Sequence, residues 1–492
     1  MSDAPLAHKA TDAPDWVRDA IFYQIFPDRF ARSPRLTKPK YLEDWEAPPT
    51  SRGYKGGDLY GIVEHLDHIQ TLGANALYLT PIFQAASNHR YNTHDYYQVD
   101  PLLGGTAAFR ELLDACHARG MKIVLDGVFN HVGRGFFQFH DLLESGPRSP
   151  YRDWFHVRSF PLNAYQPQQG LGYSAWWGIA SLPKLNTTTP AVREFLWGVA
   201  THWLEFGIDG WRLDTPNEID DDTFWQEFRR RCRAVNPEAY LVGEIWGDAS
   251  RWLQGDQFDA VMHYQLTRAI FGFVAADSLN AEAIRQGAYK NIAPLSAEEF
   301  AETVQRLQNR YRPEVTAVQL TLLGSHDPAR ALTIMGKDES ALRLALLFQM
   351  AYPGTPCVYY GDEIGLTGGH DPLNRQGMPW HRPESWNRGV FEYTQKLIRL
   401  RREHAALRRG SYRELYAGDG VYAFARELHG ECCLVALNVN RRPADCEIPA
   451  AALPELRGEF HDLLSDRSVH VNSERLLRLS LPARSGGILR QV

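Results

Sequence analysis

Residues 207–218 read GIDGWRLDTPNE, and this stretch drives an arginine and an aspartate into what is otherwise a buried β-strand. Side chains alternate along a strand, so Gly210, Arg212 and Asp214 share one face while Trp211 and Leu213 share the other. The apolar face suits packing on helices. The charged face, at the end of a strand, must look into a cleft, because unpaired buried charges cost too much to keep. For an isolated Arg-x-Asp a structural ion pair is the better reading, so the surrounding sequence has to decide.

Seven other segments have the same short apolar texture: AIFYQIFP from Ala20, NALYLTPIF from Asn75, KIVLDGVFNH from Lys122, AYLVGEIW from Ala239, FDAVMHYQ from Phe258, VQLTLLGSHD from Val318 and TPCVYYGDE from Thr355. Between them lie amphipathic stretches. GIVEHLDHIQTLG places Ile62, Leu66, Ile69 and Leu72 on one helical face, and PAVREFLWGVATHWLEFG opens with Pro190 at a first helical position. Strands alternating with helices predict a parallel sheet, and eight of them predict an α/β fold of the (β/α)8 TIM-barrel type.

The connection after the third strand is far longer than one crossover helix needs. Residues 133–185 hold 11 aromatics in 53 positions, against 12% for the whole chain, which predicts a small inserted domain overhanging the C-terminal face of the barrel. Most of these rings are expected to form the insert's own core, with Trp176 and Trp177 as candidates for a wall of the site. After FEYTQKLIRLRREHAALRRG the pattern becomes short and alternating, in GVYAFAREL, ECCLVALNV and ERLLRLSLP, an antiparallel β signature. The expected organisation is an N-terminal tail over 1–15, a barrel over 16–132 and 186–410, the insert over 133–185 and a C-terminal antiparallel β-sandwich over 411–492.

Net charge is −6 with no long basic run, so neither nucleic acid nor an anionic membrane is an expected partner, and a neutral substrate fits better. The start, MSDAPLAHKATDAPDW, shows no secretory pattern, and no segment approaches the roughly 18 apolar residues of a membrane span. The six cysteines have no metal-type spacing and read as reduced thiols of a cytoplasmic protein.

In a barrel of this kind, function sits at the C-terminal ends of the strands. Those ends carry Asp126, Asn130 and His131 after the third, Arg212 and Asp214 after the fourth, Glu244 after the fifth, and His326 with Asp327 after the seventh. One or two such groups are explained by structural ion pairs; three carboxylates attended by an arginine and two histidines are not. Two carboxyl groups about 5–5.5 Å apart are what retaining glycoside hydrolysis requires. Arg212 is expected to hold the Asp214 pKa low, and desolvation by Ile245 and Trp246 to raise that of Glu244. His131, His326 and Tyr91 are placed to bond sugar hydroxyls and stack on a pyranose face.

The ordered set DGVFNH, GIDGWRLD, GEIW and GSHD resembles the signature regions of the α-amylase family, glycoside hydrolase family 13, from about Trp16 to the end of the chain. That resemblance implies retaining cleavage of α-glucosidic bonds, with Asp214 as nucleophile, Glu244 as general acid/base and Asp327 as a third carboxylate on the distorted sugar. Asp126, His131, Arg212, His326 and Trp246 match accompanying substrate-binding residues. HRYNTHDYY is similar to the segment that supplies a stacking tyrosine, here Tyr91 beside His89, and GGHDPLNRQGMPW to one that lends Asp371 and Arg375 to a neighbouring subsite. For these last four, ordinary loop contacts remain a competing reading. LPKLN, residues 182–186, resembles the MPKLN region of the neopullulanase, cyclomaltodextrinase and maltogenic amylase group.

Leu182 stands for that group's methionine, and Pro328 follows Asp327 where the family commonly has threonine, although Arg330 keeps its place. The barrel pattern begins almost at once, where the group usually carries an N-terminal β-domain, so the expectation is a chain lacking that domain and a monomer or weak homo-oligomer. DRFARSPRLTKPKYLEDW lacks the Asn/Asp cluster with which many relatives bind calcium; Asp58 and Asn130 alone do not supply six to eight oxygens, so no cofactor or metal is expected. The leading reading is an α-1,4-glucan hydrolase acting on maltooligosaccharides, cyclodextrins and starch and releasing maltose and short maltooligosaccharides. Competing readings are a transglycosylase or a sucrose- or trehalose-type isomerase, and a non-catalytic family member.

Overall fold

The structure, a computed structural model, describes residues 13–449, 459–465, 468–470 and 476–491. The first twelve residues, most of the expected tail, lie outside the described residues. Eight parallel strands, β1 (Phe22–Ile25), β2 (Ala76–Leu79), β3 (Lys122–Gly127), β4 (Gly210–Leu213), β5 (Tyr240–Gly243), β6 (Ala260–Val261), β7 (Leu320–Leu322) and β8 (Thr355–Tyr359), run in the order β6-β5-β4-β3-β2-β1-β8-β7. A parallel bridge from Met262 to Leu320 joins the two ends and closes the barrel. The short sixth strand is set by its neighbour, for the helix Tyr264–Val274 starts only three residues after Val261.

The opening stretch behaves as alternation requires. Trp211 lies against the helix Pro190–Phe206, its indole N–H donating to Ala200 O at 3.3 Å, while Arg212 is fully buried on the inner face. Gly210 permits the close approach of β5: a Cβ there would lie 2.1 Å from Tyr240 O.

GIVEHLDHIQTLG forms two helices rather than one, Leu59–Glu64 and Leu66–Leu72. The ring of His65 takes the carbonyl of Gly61 at 2.8 Å, so the His65 backbone N–H turns to Ile62 O instead and tightens the chain between them. Ile62, Leu66, Ile69 and Leu72 are nevertheless all buried. Within 133–185, the helix Phe137–Ser145 and short turns gather around Phe139, Phe155 and Tyr173, whose rings meet edge to face at 4.9 and 5.0 Å. Lys184 fastens the end of this segment to the loop after β4, donating to Glu218 O at 2.9 Å.

From Ser411 the chain forms a six-stranded antiparallel sheet and a two-stranded partner, Ala444–Pro449 with Leu476–Leu481. Val421, Ala423, Leu434 and Ala436 of the larger sheet share a core with Ile448, Leu477 and Leu479 of the smaller. The alternate residues Tyr422, Phe424, Val435 and Leu437 join the core of the barrel. Both faces of the larger sheet are therefore buried.

Candidate active site

Backbone register builds the site. Asp126 on β3 lies directly across from Arg212 on β4, and past the strand ends the ladder continues with Asp214 N–H donating to Gly127 O (3.0 Å) and Glu244 N–H to Leu213 O (2.9 Å). Three carboxylates therefore converge on one guanidinium. Arg212 Nη1 lies 2.8 Å from Asp126 Oδ1 and 3.0 Å from Asp214 Oδ1, and Nη2 lies 2.9 Å from Glu244 Oε2. Asp214 and Glu244 are 8% and 5% exposed, so both are reachable only from the cleft.

Thr215 bridges the two. Its backbone N–H donates to Glu244 Oε2 at 3.2 Å and its hydroxyl to Asp214 Oδ2 at 3.3 Å. It does so from the left-handed region, φ 39° and ψ 49°, which a β-branched residue occupies only under strain. On the other side, Trp246 Nε1 donates to Glu244 Oε1 at 3.1 Å.

A second network fixes the tyrosine. Gln24 Nε2 donates to His326 Nδ1 (2.9 Å), leaving the proton of a neutral ring on Nε2, from where it reaches the Tyr91 oxygen at 2.6 Å. The Tyr91 hydroxyl in turn donates to Asp126 Oδ2 at 2.7 Å, as does that of Tyr78. The Tyr91 and His326 rings lie nearly parallel at 5.3 Å, with His89 stacked beyond at 6.0 Å. Burial pushes His89 and His131 down to about 3 and His326 well below its ordinary value, so all three are neutral hydrogen-bonding groups at physiological pH.

Asp327 stands at the open rim, its side chain 32% exposed, 3.3 Å from His326 Nε2 and 3.7 Å from Arg375 Nη2. Arg375 also holds Asp371 at 3.0 Å and donates through Nε to His326 O, so the loop after β8 is drawn into the same cluster. On the insert side, His131 stacks on Trp176 (5.1 Å), and Trp176 on the largely exposed Trp177 (4.5 Å). All the residues singled out from the sequence thus gather at one end of the barrel.

One expectation is overturned. Arg212 does not hold Asp214 low: burial, reinforced by Glu244, Asp126 and Asp327, raises its pKa well above the usual carboxylate range against the pull of Arg212. Glu244 is raised too, burial again leading, with Arg212, the Trp246 indole and the Thr215 N–H opposing. Burial is the chief cause, and one guanidinium divided among three carboxylates does not offset it.

Sequence reasoning missed Tyr78, Gln24 and Thr215. A polar side chain within an apolar barrel strand is a signal available for Gln24; a tyrosine in such a strand and the strained turn after Asp214 left none. The acidic residues considered for calcium are bonded by the protein's own groups. Asp58 accepts from Gly61 N–H and Ser33 N–H and pairs with the ammonium of Lys38, while Asp28 accepts from Lys55 and Gly56 N–H and pairs with Arg29. Both carboxylates are thus engaged within the protein, whereas the buried amide oxygen of Asn130 has no hydrogen-bond partner among the described residues; one free oxygen does not make a site for an ion that needs six to eight.

The sequence pattern of the alpha amylase catalytic domain matches residues 24–387, and that of the alpha-amylase C-terminal domain residues 410–489. The chain belongs to the alpha-amylase family. Within that family it is 43% identical over 485 residues to a cyclomaltodextrinase of Geobacillus thermopakistaniensis strain MAS1, covering 97% of this chain and 78% of the relative. Among solved structures, a debranching enzyme of Nostoc punctiforme is 48% identical with a TM-score of 0.89, covering 98% of this chain and all of that one. A cyclic α-maltosyl-(1→6)-maltose hydrolase of Arthrobacter globiformis is 37% identical with a TM-score of 0.85, at the same coverage. The chain is a glycoside hydrolase of the alpha-amylase family.

Proposed function

We propose that the protein is a retaining α-glucan hydrolase that cleaves α-1,4 bonds in maltooligosaccharides, cyclodextrins and starch, releases maltose and short maltooligosaccharides, and also accepts α-1,6 bonds. The observation that carries this reading is the convergence of Asp214, Glu244 and Asp126 on Arg212, with Asp327 at the rim. Asp214 attacks the anomeric carbon and forms a glycosyl ester, while Glu244 gives its proton to the leaving oxygen; Glu244 then deprotonates the water that frees the sugar. Burial favours the protonated Glu244 that this first step needs, and the Arg212 guanidinium 3.0 Å from Asp214 favours the ionised nucleophile. Asp327 and the neutral His131 and His326 take the hydroxyls of the distorted ring, Tyr91 lies under its apolar face, and Asp371 with Arg375 meet the next sugar on the non-leaving side.

Acceptance of α-1,6 bonds is supported by the two relatives whose whole length the chain spans, one named a debranching enzyme and the other a hydrolase of an α-(1→6)-linked cyclic maltose. A cytoplasmic location is supported by six free, buried thiols, the chemistry of a reducing compartment. Among the described residues no helix is long and apolar enough to cross a membrane. We further propose that catalysis needs no metal and that the protein is a monomer or weak homo-oligomer, which light scattering checks directly.

Incubation with a 2-deoxy-2-fluoro-α-glucosyl or maltosyl fluoride, followed by peptide mass analysis, tests the covalent step: the adduct belongs on Asp214. Asp214→Asn is expected to lose several orders of magnitude in kcat, because no other group forms the ester. Full activity in that variant, or an inverted anomer as first product, would sink the proposal.

A further inference from the structure

A groove of about 470 Å³ opens at Trp246, within the range of about 300–1,000 Å³ typical of small-molecule sites. It is lined by the helix Tyr264–Val274, the loop around Asn291 and the helix Ala297–Gln308. The lining includes the apolar Ile292 and Leu307 and the polar Asn291, Thr303 and Arg306. Among the described residues Arg306 makes neither an ion pair nor a side-chain hydrogen bond, and Asn291 holds a left-handed backbone (φ 56°) with its amide uncommitted. Arg268, by contrast, is occupied: it donates to Ala288 O at 3.0 Å and Lys290 O at 2.8 Å and so fixes the loop that forms the wall.

Which end of the substrate reaches this groove follows from chemistry. A general acid stands beside the oxygen of the leaving group, and Trp246, the residue at the groove's mouth, is hydrogen-bonded to Glu244. Trp246 thus belongs both to the catalytic cluster and to the lining of the groove, which sets the groove toward the leaving-group side. Aliphatic groups beside free donors suit the two-sided character of a pyranose chain, apolar on its faces and hydroxylated at its rim. We propose that this groove binds the leaving-group arm of an α-glucan, several sugars beyond the cleaved bond, with Arg306, Asn291 and Thr303 as specificity-determining residues. The assignment rests on the hydrolase reading above and on Glu244 as its acid.

The test compares two substrates on the full chain. With 4-nitrophenyl α-maltotrioside the leaving group is a nitrophenol, too short to enter the groove; with maltoheptaose or pullulan, a glucan arm departs. Arg306→Ala is expected to lower kcat/KM on the glucans about tenfold, the loss of one hydrogen bond from a charged donor, and to leave the nitrophenyl substrate within about twofold. Thr303→Trp, which fills the groove from a half-exposed helix position, is expected to act in the same direction and more strongly. Equal losses on both kinds of substrate, or none on the glucans, would overturn the groove assignment. Should Thr303→Trp fail to fold, Arg306→Ala at its exposed position decides alone. Absence of wild-type turnover on either kind of substrate would instead remove the hydrolase reading, and the groove's assignment with it.

Discussion

Arg212 is the residue on which catalysis and stability pull in opposite directions. It neutralises one of the three carboxylates it touches, so the folded chain carries buried negative charge near neutral pH. Asp214 has a folded-state pKa raised above its unfolded value; the stability linked to such a group is full below the unfolded pKa and is lost as pH rises through the folded one. Near neutral pH, Asp214→Asn is therefore expected to raise the thermal midpoint while abolishing activity, since Arg212 keeps Asp126 and Glu244 as partners. The gap should close on acidification, where the wild-type carboxyl is itself protonated; scanning calorimetry across that window is the check, and a variant less stable at neutral pH would contradict it. Trp246 supplies a kinetic counterpart. Its N–H favours ionised Glu244, so Trp246→Phe should move the alkaline limb of the kcat–pH profile upward, because the acid holds its proton to higher pH. A limb that stays or moves down would mean Glu244 is not the group that must be protonated.

At the scale of elements, the helix Leu59–Glu64 shows a buried carboxylate held by the protein's own donors. Asp58 is its N-cap, fully buried, and Lys38 is the counter-charge. Lys38→Met is expected to destabilise the fold by about 1.5–3 kcal/mol, the worth of a hydrogen bond to a charged group, because Asp58 keeps its two N–H donors but loses its cation. A chelator should leave wild-type activity and midpoint untouched; activity lost to chelation and restored by calcium would show that the acidic groups serve an ion after all. The same scale explains what the sequence could express. Arg212 and Asp214 stood out because charge at strand positions is rare, and Trp176 with Trp177 because aromatics crowd a long connection. Tyr78 was hidden, since a tyrosine in an apolar strand reads as one more large hydrophobic residue until its hydroxyl is seen on Asp126. The direction of the Asp214 shift was hidden for a different reason: it depends on how many carboxylates share Arg212, and three strands far apart in the chain meet only after folding.

For the whole molecule, the eight-fold alternation of strand and helix made the barrel legible, whereas alternation in the last 80 or so residues indicated a sheet without saying what its outer face would touch. The structure shows that face serving as part of the barrel's wall. The Phe300 and Tyr422 rings meet at 5.0 Å and those of Phe348 and Phe424 at 5.6 Å, and Gly486 lies so close to the helix Glu339–Ala351 that a Cβ would sit 2.4 Å from Leu347. A fully buried arginine stitches the seam: Arg426, on a strand of the sheet, donates to Leu407 O at 2.8 Å. Removing the chain after Gly410 would expose the apolar face of the helix Glu339–Ala351 together with carbonyls that Arg426 satisfies, and each stranded polar group costs about 1–3 kcal/mol. A domain holds only about 5–15 kcal/mol in total, so the truncated barrel is expected to aggregate or to melt far below the full chain. The full chain, in turn, should unfold in one transition, because the sheet's inner and outer faces belong to cores that lose their walls together. Calorimetry distinguishes the cases: a truncated barrel that is soluble, active and as heat-stable as the parent would show that the C-terminal sheet is an appendage rather than a structural part of the catalytic unit.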